Sequence, residues 1–240
     1  MTTTENTNHS IEQEAIRSNI DSFYNELIKD PNGRYKSWEH CHIFFKENRN
    51  SKEENSLDMM SLHLAFYLAS WGMLRGSSFL LQKDYLVHKP AIEIMLKEEY
   101  KSLWKYEIES LYENIDLIIK CGKKIVESYR KQNCKEPSSV LLTKILLGVY
   151  GCTPAYDRLF TNGLREYKLL ANYGNNSLKG VFDFYTQYRE TFEICRKEIK
   201  NHGIDYPPMK LVDMFFWEEG RKKTEKLKKK SLKQHTNTII

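Results

Sequence analysis

Residues 57–81 constrain the fold most, because they form the most apolar stretch of the chain and show no polar face. A helix that spans a bilayer needs about 20 mainly apolar residues, and a central arginine costs roughly 2.5–3.5 kcal/mol there. This stretch contains Arg75 and also His63. The pattern therefore favours a buried central helix in a soluble core over a membrane segment.

The rest of the chain also shows helical periodicity, and no alternating apolar and polar run bounded by turn residues indicates a strand. One helix start is also indicated: Thr153 is a suitable N-cap for the segment 154–170, with Pro154 at the first helical position. We therefore predict a single all-α globular domain of about eight or nine helices around the buried central helix, with a basic helical C-terminus. The eight further helical segments are 11–29, 35–48, 91–106, 107–132, 138–149, 154–170, 178–201 and 208–230.

The composition agrees with this architecture. Hydrophobic residues make up 40% and charged residues 29% of the 240-residue chain, as in soluble globular proteins. The 11 glycines and 6 prolines are too few for a fold dominated by loops or short strands. We expect flexible residues at 1–10, one helical domain over 11–220 and a basic tail over 221–240.

The positive charge of the chain is concentrated in that tail. Residues 221–235 hold eight lysines and arginines and one acid, whereas residues 1–220 carry a net charge of −2. Such a tail suits nucleic acid or an acidic partner, although cations are also favourable at a helix C-terminus. The candidate nucleic-acid-binding residues are Lys222, Lys223, Lys228, Lys229 and Lys230.

The cysteines and the N-terminus indicate a reducing compartment. The five cysteines are odd in number and scattered, and the first residues are polar and acidic, unlike a signal peptide. We therefore expect a cytoplasmic protein with free thiols and no membrane association. The run Glu39–His42 offers adjacent ligand types that diverge on a helix, so we expect neither a metal nor another cofactor.

Asp157 is the first candidate catalytic residue. A helix ends in the glycines Gly148 and Gly151, and a new helix starts at Thr153, so Asp157 falls in its first turn. Exposed main-chain amides and the helix dipole stabilise a carboxylate there. Such a carboxylate is suited to stabilise a developing cation, but an aspartate at a helix start is also an ordinary structural feature.

This apolar helix, tight turn, Pro-x-x-Asp and second helix resemble the catalytic-aspartate region of helix-hairpin-helix DNA glycosylases over about 20 residues. By that resemblance, Asp157 stabilises an oxocarbenium-like state at a sugar. The chain departs from the family where the glycine-rich hairpin is expected, since residues 134–139 read Cys-Lys-Glu-Pro-Ser-Ser. There is no match over the whole chain.

Arg196 and His202 form a second candidate. An arginine followed by a histidine in this spacing is similar to the signature of HEPN ribonucleases, which are all-α and pair two such motifs across a dimer. By that resemblance, Arg196 holds a phosphate and His202 acts in acid–base cleavage. On a straight helix their side chains diverge by roughly 120°, so they converge only if the helix ends between them. The alternative is a cation-rich helix end, before Gly203.

Arg75 is the third candidate, because a buried arginine must be paired. Arg75 precedes Gly76, a small residue that lets a ligand approach the backbone, so one alternative is a phosphate or ligand site. The other alternative is a structural ion pair with an acid such as Asp157 or Asp213. The candidate phosphate- or ligand-binding residues are Arg75, Ser77, Ser78 and Arg158.

These features leave three hypotheses for function. The first is a helical protein that binds or processes nucleic acid, with glycosylase-like or ribonuclease-like activity. The second is a non-catalytic helical subunit that binds a protein partner or a second copy of itself. The third is an enzyme that acts on a small molecule in a pocket at Arg75. The sequence leaves open whether the protein is an enzyme.

Overall fold

The computed structural model describes the backbone of residues 2–237 and the side chains of residues 10–231. Within these residues the chain is helical and has no strand, which confirms the all-α prediction. Its α-helices are α1 (Thr2–Lys29), α2 (Lys36–Asn48), α3 (Glu54–Ser70), α4 (Lys89–Met95), α5 (Ile108–Glu113), α6 (Ile115–Lys131), α7 (Ser139–Val149), α8 (Arg158–Glu166), α9 (Asn175–Gln187), α10 (Arg189–Lys200) and α11 (Pro208–Asn237). Three 3-10 helices span Phe79–Gln82, Tyr85–His88 and Glu98–Trp104.

The described residues thus form more helices than the sequence predicted, because long periodic segments are interrupted. The segment 107–132 divides into α5 and α6 at Asn114, whose side-chain amide donates to the Ser110 carbonyl at 2.7 Å. The segment 178–201 divides into α9 and α10 at the buried Tyr188. Apolar periodicity continues across both breaks, which is why it did not reveal them.

The prediction that residues 57–81 form one buried central helix is wrong. Helix α3 ends at Ser70, and left-handed turns follow at Gly72 (φ +75°) and Gly76 (φ +58°). The apolar side chains of α3 are not all inside, since Met59, Leu62 and Phe66 are 41%, 44% and 62% exposed.

The innermost helix is α7. Every residue from Leu141 to Val149 is buried, including Lys144, the only charged residue in that run. Helices α2, α3 and α6 pack against α7. The indole N–H of Trp38, on α2, donates to the Leu147 carbonyl of α7 at 3.1 Å.

Helices α8 and α11 pack through two glycines that let their backbones touch. A Cβ at Gly163 would lie 2.0 Å from the Phe216 carbonyl oxygen. A Cβ at Gly220 would lie 1.9 Å from the Leu159 carbonyl oxygen. Any side chain at either position would push the helices apart, so this pair of glycines fixes the start of α8 beside α11.

The expected domain limits at residues 10 and 220 fall inside helices. Helix α1 begins at Thr2 and α11 continues to Asn237, so the expected flexible N-terminus and basic tail are continuous with the first and last helices. Lysine and arginine are good helix formers, which allows α11 to continue through its basic part. Residues 1 and 238–240 lie outside the described residues.

Candidate functional site

The turn between α7 and α8 positions the first candidate residue. The chain leaves α7 at Tyr150 and turns at Gly151, which adopts a φ of +69°. A Cβ at Gly151 would lie 2.3 Å from Cγ of Pro207, so only glycine lets this turn pack against the start of α11.

Asp157 caps α8, rather than lying in its first turn. The predicted helix start at Thr153 and Pro154 is wrong, because α8 begins at Arg158. Asp157 Oδ1 accepts hydrogen bonds from the main-chain N–H groups of Leu159, at 3.0 Å, and Phe160, at 3.1 Å. Residues 153–157 are held outside the helix by other bonds; for example, the Tyr156 N–H donates to Thr143 Oγ1 at 2.9 Å.

The other oxygen of Asp157 is paired with a buried lysine. Lys144 Nζ donates to Asp157 Oδ2 at 3.1 Å, and the two side chains are 3% and 20% exposed. Two main-chain N–H groups and one ammonium therefore stabilise the negative charge of this carboxylate. The partner of Asp157 is thus Lys144 and not Arg75, for which an ion pair with Asp157 or Asp213 was one of two alternatives.

A second lysine–aspartate pair lies beside the first, on the first turns of α11. Lys210 Nζ donates to Asp213 Oδ2 at 3.1 Å, and both side chains are almost fully buried. Asp213 Oδ1 accepts the Ala155 N–H at 3.0 Å, which ties α11 to the segment that leads into Asp157. We call the four side chains Lys144, Asp157, Lys210 and Asp213 the lysine–aspartate cluster.

The electrostatics of the cluster oppose the charge of Lys210. Burial lowers the pKa of the Lys210 ammonium, and the nearby Lys144 lowers it further. The carboxylate of Asp213 acts in the opposite direction and favours the charged form. Lys210 is therefore a lysine whose amine is more readily deprotonated than in water.

Aromatic rings surround Lys210, and one of them also contacts Lys144. Lys210 Nζ lies 4.8 Å from the ring centroid of Phe23, 5.1 Å from that of Trp38 and 5.6 Å from that of Trp71. Lys144 Nζ lies 5.2 Å from the Trp71 centroid, so the two ammonium groups share one indole. Such cation–π contacts stabilise charge that is removed from water.

Trp71 forms the outer part of this enclosure. It lies at the end of α3, is partly exposed and contacts Tyr35 and Trp217 edge to face at 5.3 and 6.2 Å. The guanidinium of Arg34 lies 5.4 Å from the Trp71 centroid. The indole nitrogen of Trp71 is buried and has no hydrogen-bond partner among the described residues.

The cluster surrounds a very small cavity. Its free volume is about 10 Å³, close to the minimum that a single water molecule needs. Trp71 and Trp217 line this cavity together with all four residues of the lysine–aspartate cluster. The cavity therefore admits no ligand larger than a water molecule unless a residue that lines it moves.

The predicted phosphate-binding residues lie mainly on the surface. Arg75 is exposed in the turn after α3, so the prediction of a buried arginine is wrong, and the helix on which it was based ends before it. Ser77 is exposed, and Ser78 caps the 3-10 helix at Phe79. Arg158 is the first residue of α8 and is also exposed.

Arg196 is held by structural partners. Its Nη2 lies 2.9 Å from Asp205 Oδ1, and its Nε donates to the Tyr206 carbonyl at 2.8 Å. The helix does end before His202, as convergence requires, but the described contacts do not bring the two side chains together. His202 is exposed, and its ring lies 5.8 Å from that of Tyr24.

The basic tail divides into two parts. Lys222 donates to Asn19 Oδ1, and Lys223 pairs with Glu166, so the first part is bonded to other helices. The exposed lysines that follow have no ion pair among the described residues; they include Lys228, Lys229 and Lys230.

Sequence reasoning missed three of the four cluster residues as functional candidates. A usable signal was present: Lys144 is a single charge in an apolar helix, and Lys210 and Asp213 lie one turn apart in an apolar run. Buried charges of this kind need partners. The pairing of Lys144 with Asp157, and the position of the second pair beside the first, depend on helix packing, and the sequence does not show them.

Comparison with known proteins adds no relative. No family model, no curated protein and no solved structure matches this chain. Among the described residues, no helix is both long and apolar enough to cross a membrane. The same residues contain no group of three or more His, Cys, Asp or Glu side chains that could hold a metal ion.

Proposed function

We propose that the protein processes nucleic acid by a glycosylase-like reaction, with Asp157 as the catalytic carboxylate. The observation that carries the proposal is the position of Asp157, which caps α8, pairs with Lys144 at 3.1 Å and lines a small cavity together with Trp71 and Trp217. The resemblance around Pro154 and Asp157 points to the same chemistry.

The reaction requires a group that stabilises positive charge at the sugar. When the glycosidic C1′–N bond breaks, the base keeps the electron pair and takes a proton, and an oxocarbenium-like sugar remains. A fixed carboxylate beside C1′ stabilises that cation until water adds and releases a proton. The main-chain donors of Leu159 and Phe160 hold Asp157 in one orientation for this role.

The aromatic enclosure suits a base removed from its stack. Enzymes that act on a nucleobase extrude it and stack it between aromatic or apolar side chains. Trp71 and Trp217 occupy that position here, although a cavity of about 10 Å³ is far too small for a base. The proposal therefore includes movement of Trp71, which is followed by the turns at Gly72 and Gly76.

The ribonuclease-like alternative has less support. The guanidinium of Arg196 is already bonded to Asp205 and to the Tyr206 carbonyl, and Glu193 lies 3.3 Å away. A phosphate would have to displace these partners. The small-molecule alternative at Arg75 also has less support, because the exposed Arg75 is not among the residues that line the cavity at the cluster.

A protein-interaction function is the second candidate, and one observation favours it. Met59, Leu62 and Phe66 are exposed at positions that share a face of α3. An exposed apolar stripe of this kind is typical of a contact surface for another protein. The proposal of a protein partner or a second copy of the chain is based on this stripe.

A base-release assay tests the main proposal. The purified protein would be incubated with labelled DNA and RNA oligonucleotides that carry normal and damaged bases, and abasic sites would be cleaved chemically for detection. The key variant is Asp157→Asn, since asparagine also caps helices. The matched control is Asp84→Asn, because Asp84 caps a 3-10 helix on the surface.

We expect the unmodified protein and Asp84→Asn to release the base at similar rates. The rate of base release by Asp157→Asn should be lower by at least about 100-fold. Equal base release by Asp157→Asn would exclude Asp157 as the catalytic carboxylate. No base release from any of the substrates, together with pull-down of a specific protein that Phe66→Ser abolishes, would favour the interaction function.

A further inference from the structure

Two adjoining clefts form a groove on the surface, separate from the lysine–aspartate cluster. Their volumes are about 760 and 290 Å³, and they share Arg49, Asn50, Leu96 and Lys101. We call them together the basic groove. Its walls come from the chain after α2 and from the region of the 3-10 helix Glu98–Trp104.

The basic groove carries an excess of positive charge. Among the described residues that line it, the cations are Arg49, Lys52, Lys97, Lys101 and Lys105, whereas the acids are Glu93 and Glu98 alone.

Most of these cations are not neutralised. Lys101 pairs with Glu98 at 2.7 Å, but the other four cations form no ion pair with any residue that the structure describes. Like charges collected in a concave surface produce a positive potential that attracts anions.

The groove also contains an aromatic side chain. Trp104 is partly exposed, lines the smaller cleft and packs edge to face on the buried Tyr150 at 4.9 Å. Contact with Tyr150 holds the indole in place. Nucleic-acid grooves without sequence preference combine cations that follow the backbone with aromatic rings on which bases stack.

We infer that the basic groove binds single-stranded nucleic acid, with phosphates at Arg49, Lys52, Lys97 and Lys105 and a base stacked on Trp104. An acidic peptide would use the cations but not the indole. The inference rests on the proposed function only in its choice of nucleic acid as partner.

The basic groove and the lysine–aspartate cluster lie within a few side chains of each other. Tyr106 follows Lys105, and its hydroxyl is 2.9 Å from Nε2 of His42. The His42 ring stacks on Trp38 at 4.9 Å, and Trp38 contacts Lys210. The two sites share no lining residue, so binding in the groove and chemistry at the cluster can be tested separately.

The test measures binding of fluorescent single-stranded DNA and RNA of about 20 nucleotides by anisotropy. The groove variant is Arg49→Glu/Lys105→Glu. The matched control is Lys83→Glu/Lys179→Glu, which makes the same change in net charge at exposed lysines outside the groove. Trp104→Leu tests stacking, and Lys228→Ala/Lys229→Ala/Lys230→Ala tests the tail. Far-UV circular dichroism and melting temperature establish that each variant is folded.

We expect the groove variant to bind at least about 10-fold more weakly than the control, and its salt dependence between about 50 and 200 mM to be shallower. Trp104→Leu is expected to weaken binding about 5-fold or more. Equal affinity in the groove and control variants would overturn the inference. So would displacement of the oligonucleotide by poly-glutamate at equal charge concentration, or loss of binding only in the tail variant.

Asp157→Asn separates this inference from the proposed function. If the groove variant loses binding while no substrate releases a base, the inference about the basic groove is supported and the proposed glycosylase-like activity is excluded. If Asp157→Asn abolishes base release while the groove variant binds and reacts normally, the proposed activity is supported and the inference about the basic groove is excluded.

Discussion

Asp213 is hydrogen bonded to the main chain of Ala155, two residues before the aspartate that caps α8. Asp213 Oδ1 accepts the Ala155 N–H at 3.0 Å, while Asp213 Oδ2 pairs with Lys210. One carboxylate therefore ties the first turns of α11 to the segment that positions Asp157. The two lysine–aspartate pairs are joined through this contact.

Removal of the Asp157 carboxylate should affect stability according to what replaces it. Asp157→Ala removes the cap and leaves the buried Lys144 ammonium unpaired, so we expect a loss of roughly 3–5 kcal/mol in the free energy of unfolding. Asp157→Asn keeps the cap and a polar partner, and should lose clearly less. Urea unfolding measures both; equal losses would contradict the structural role described for the cap.

The pair Lys210–Asp213 should show strong coupling. Lys210→Met alone leaves the buried Asp213 carboxylate with one main-chain donor. We expect this variant to lose roughly 3 kcal/mol in the free energy of unfolding. Lys210→Met/Asp213→Asn removes both charges and keeps an acceptor for Ala155, so it should be more stable than the single variant. A double variant whose loss is the sum of the two single losses would show that the pair is not coupled.

Trp71→Ala should expose the lysine–aspartate cluster. The indole contacts both Lys144 and Lys210. Its removal should therefore increase the rate at which an amine-reactive reagent modifies these two lysines. Mass spectrometry of tryptic peptides measures the rate at each site. Trp104→Ala is the control and should leave both rates unchanged, while unchanged rates in Trp71→Ala would show that Trp71 does not close the site.

Two buried histidines should make stability depend on pH. Burial lowers the pKa of His42 and of His88 to about 4, from an ordinary value of 6.5. Between these values the unfolded chain binds more protons than the folded one, so the free energy of unfolding rises with pH from about 4 to 6.5. Each histidine should contribute roughly 3 kcal/mol over this window.

The histidine prediction is tested with variants that keep the hydrogen bonds. His42→Gln preserves a partner for Tyr106 and His88→Asn preserves one for Tyr129. Urea unfolding across this pH range should give a shallower pH dependence for each variant than for the unmodified protein. His40→Gln, the same substitution at an exposed histidine, is the matched control. A slope unchanged by His42→Gln would contradict the prediction.

The glycines between α8 and α11 should be intolerant of substitution. Gly163→Ala places a methyl group 2.0 Å from a main-chain oxygen of α11, so we expect a loss of several kcal/mol or a failure to fold. Gly180→Ala is the control: its Cβ would meet only Leu169, at 3.8 Å, and helix propensity predicts a gain of about 0.5–1 kcal/mol. Thermal unfolding measures both, and a folded Gly163→Ala of unchanged stability would refute this packing.

The secondary structure class and the apolar segments could be predicted from the sequence, because helical periodicity and helix propensity are local properties. It identified the apolar segment that became α7 and drew attention to Asp157, through the turn that precedes it. It did not show that residues 57–81 break after Ser70, since their apolar character continues through the turns at Gly72 and Gly76.

The assembly of the lysine–aspartate cluster depends on the tertiary structure. Lys144 and Asp157 are 13 residues apart, so local patterns contain no information about their pairing. Lys210 and Asp213 are an i,i+3 pair within α11, but the sequence does not show that this pair lies beside the first one. The close approach of α8 and α11 at Gly163 and Gly220 brings the groups together. Burial then requires that each ammonium meet a carboxylate, because an unpaired charge in that core would be very unfavourable.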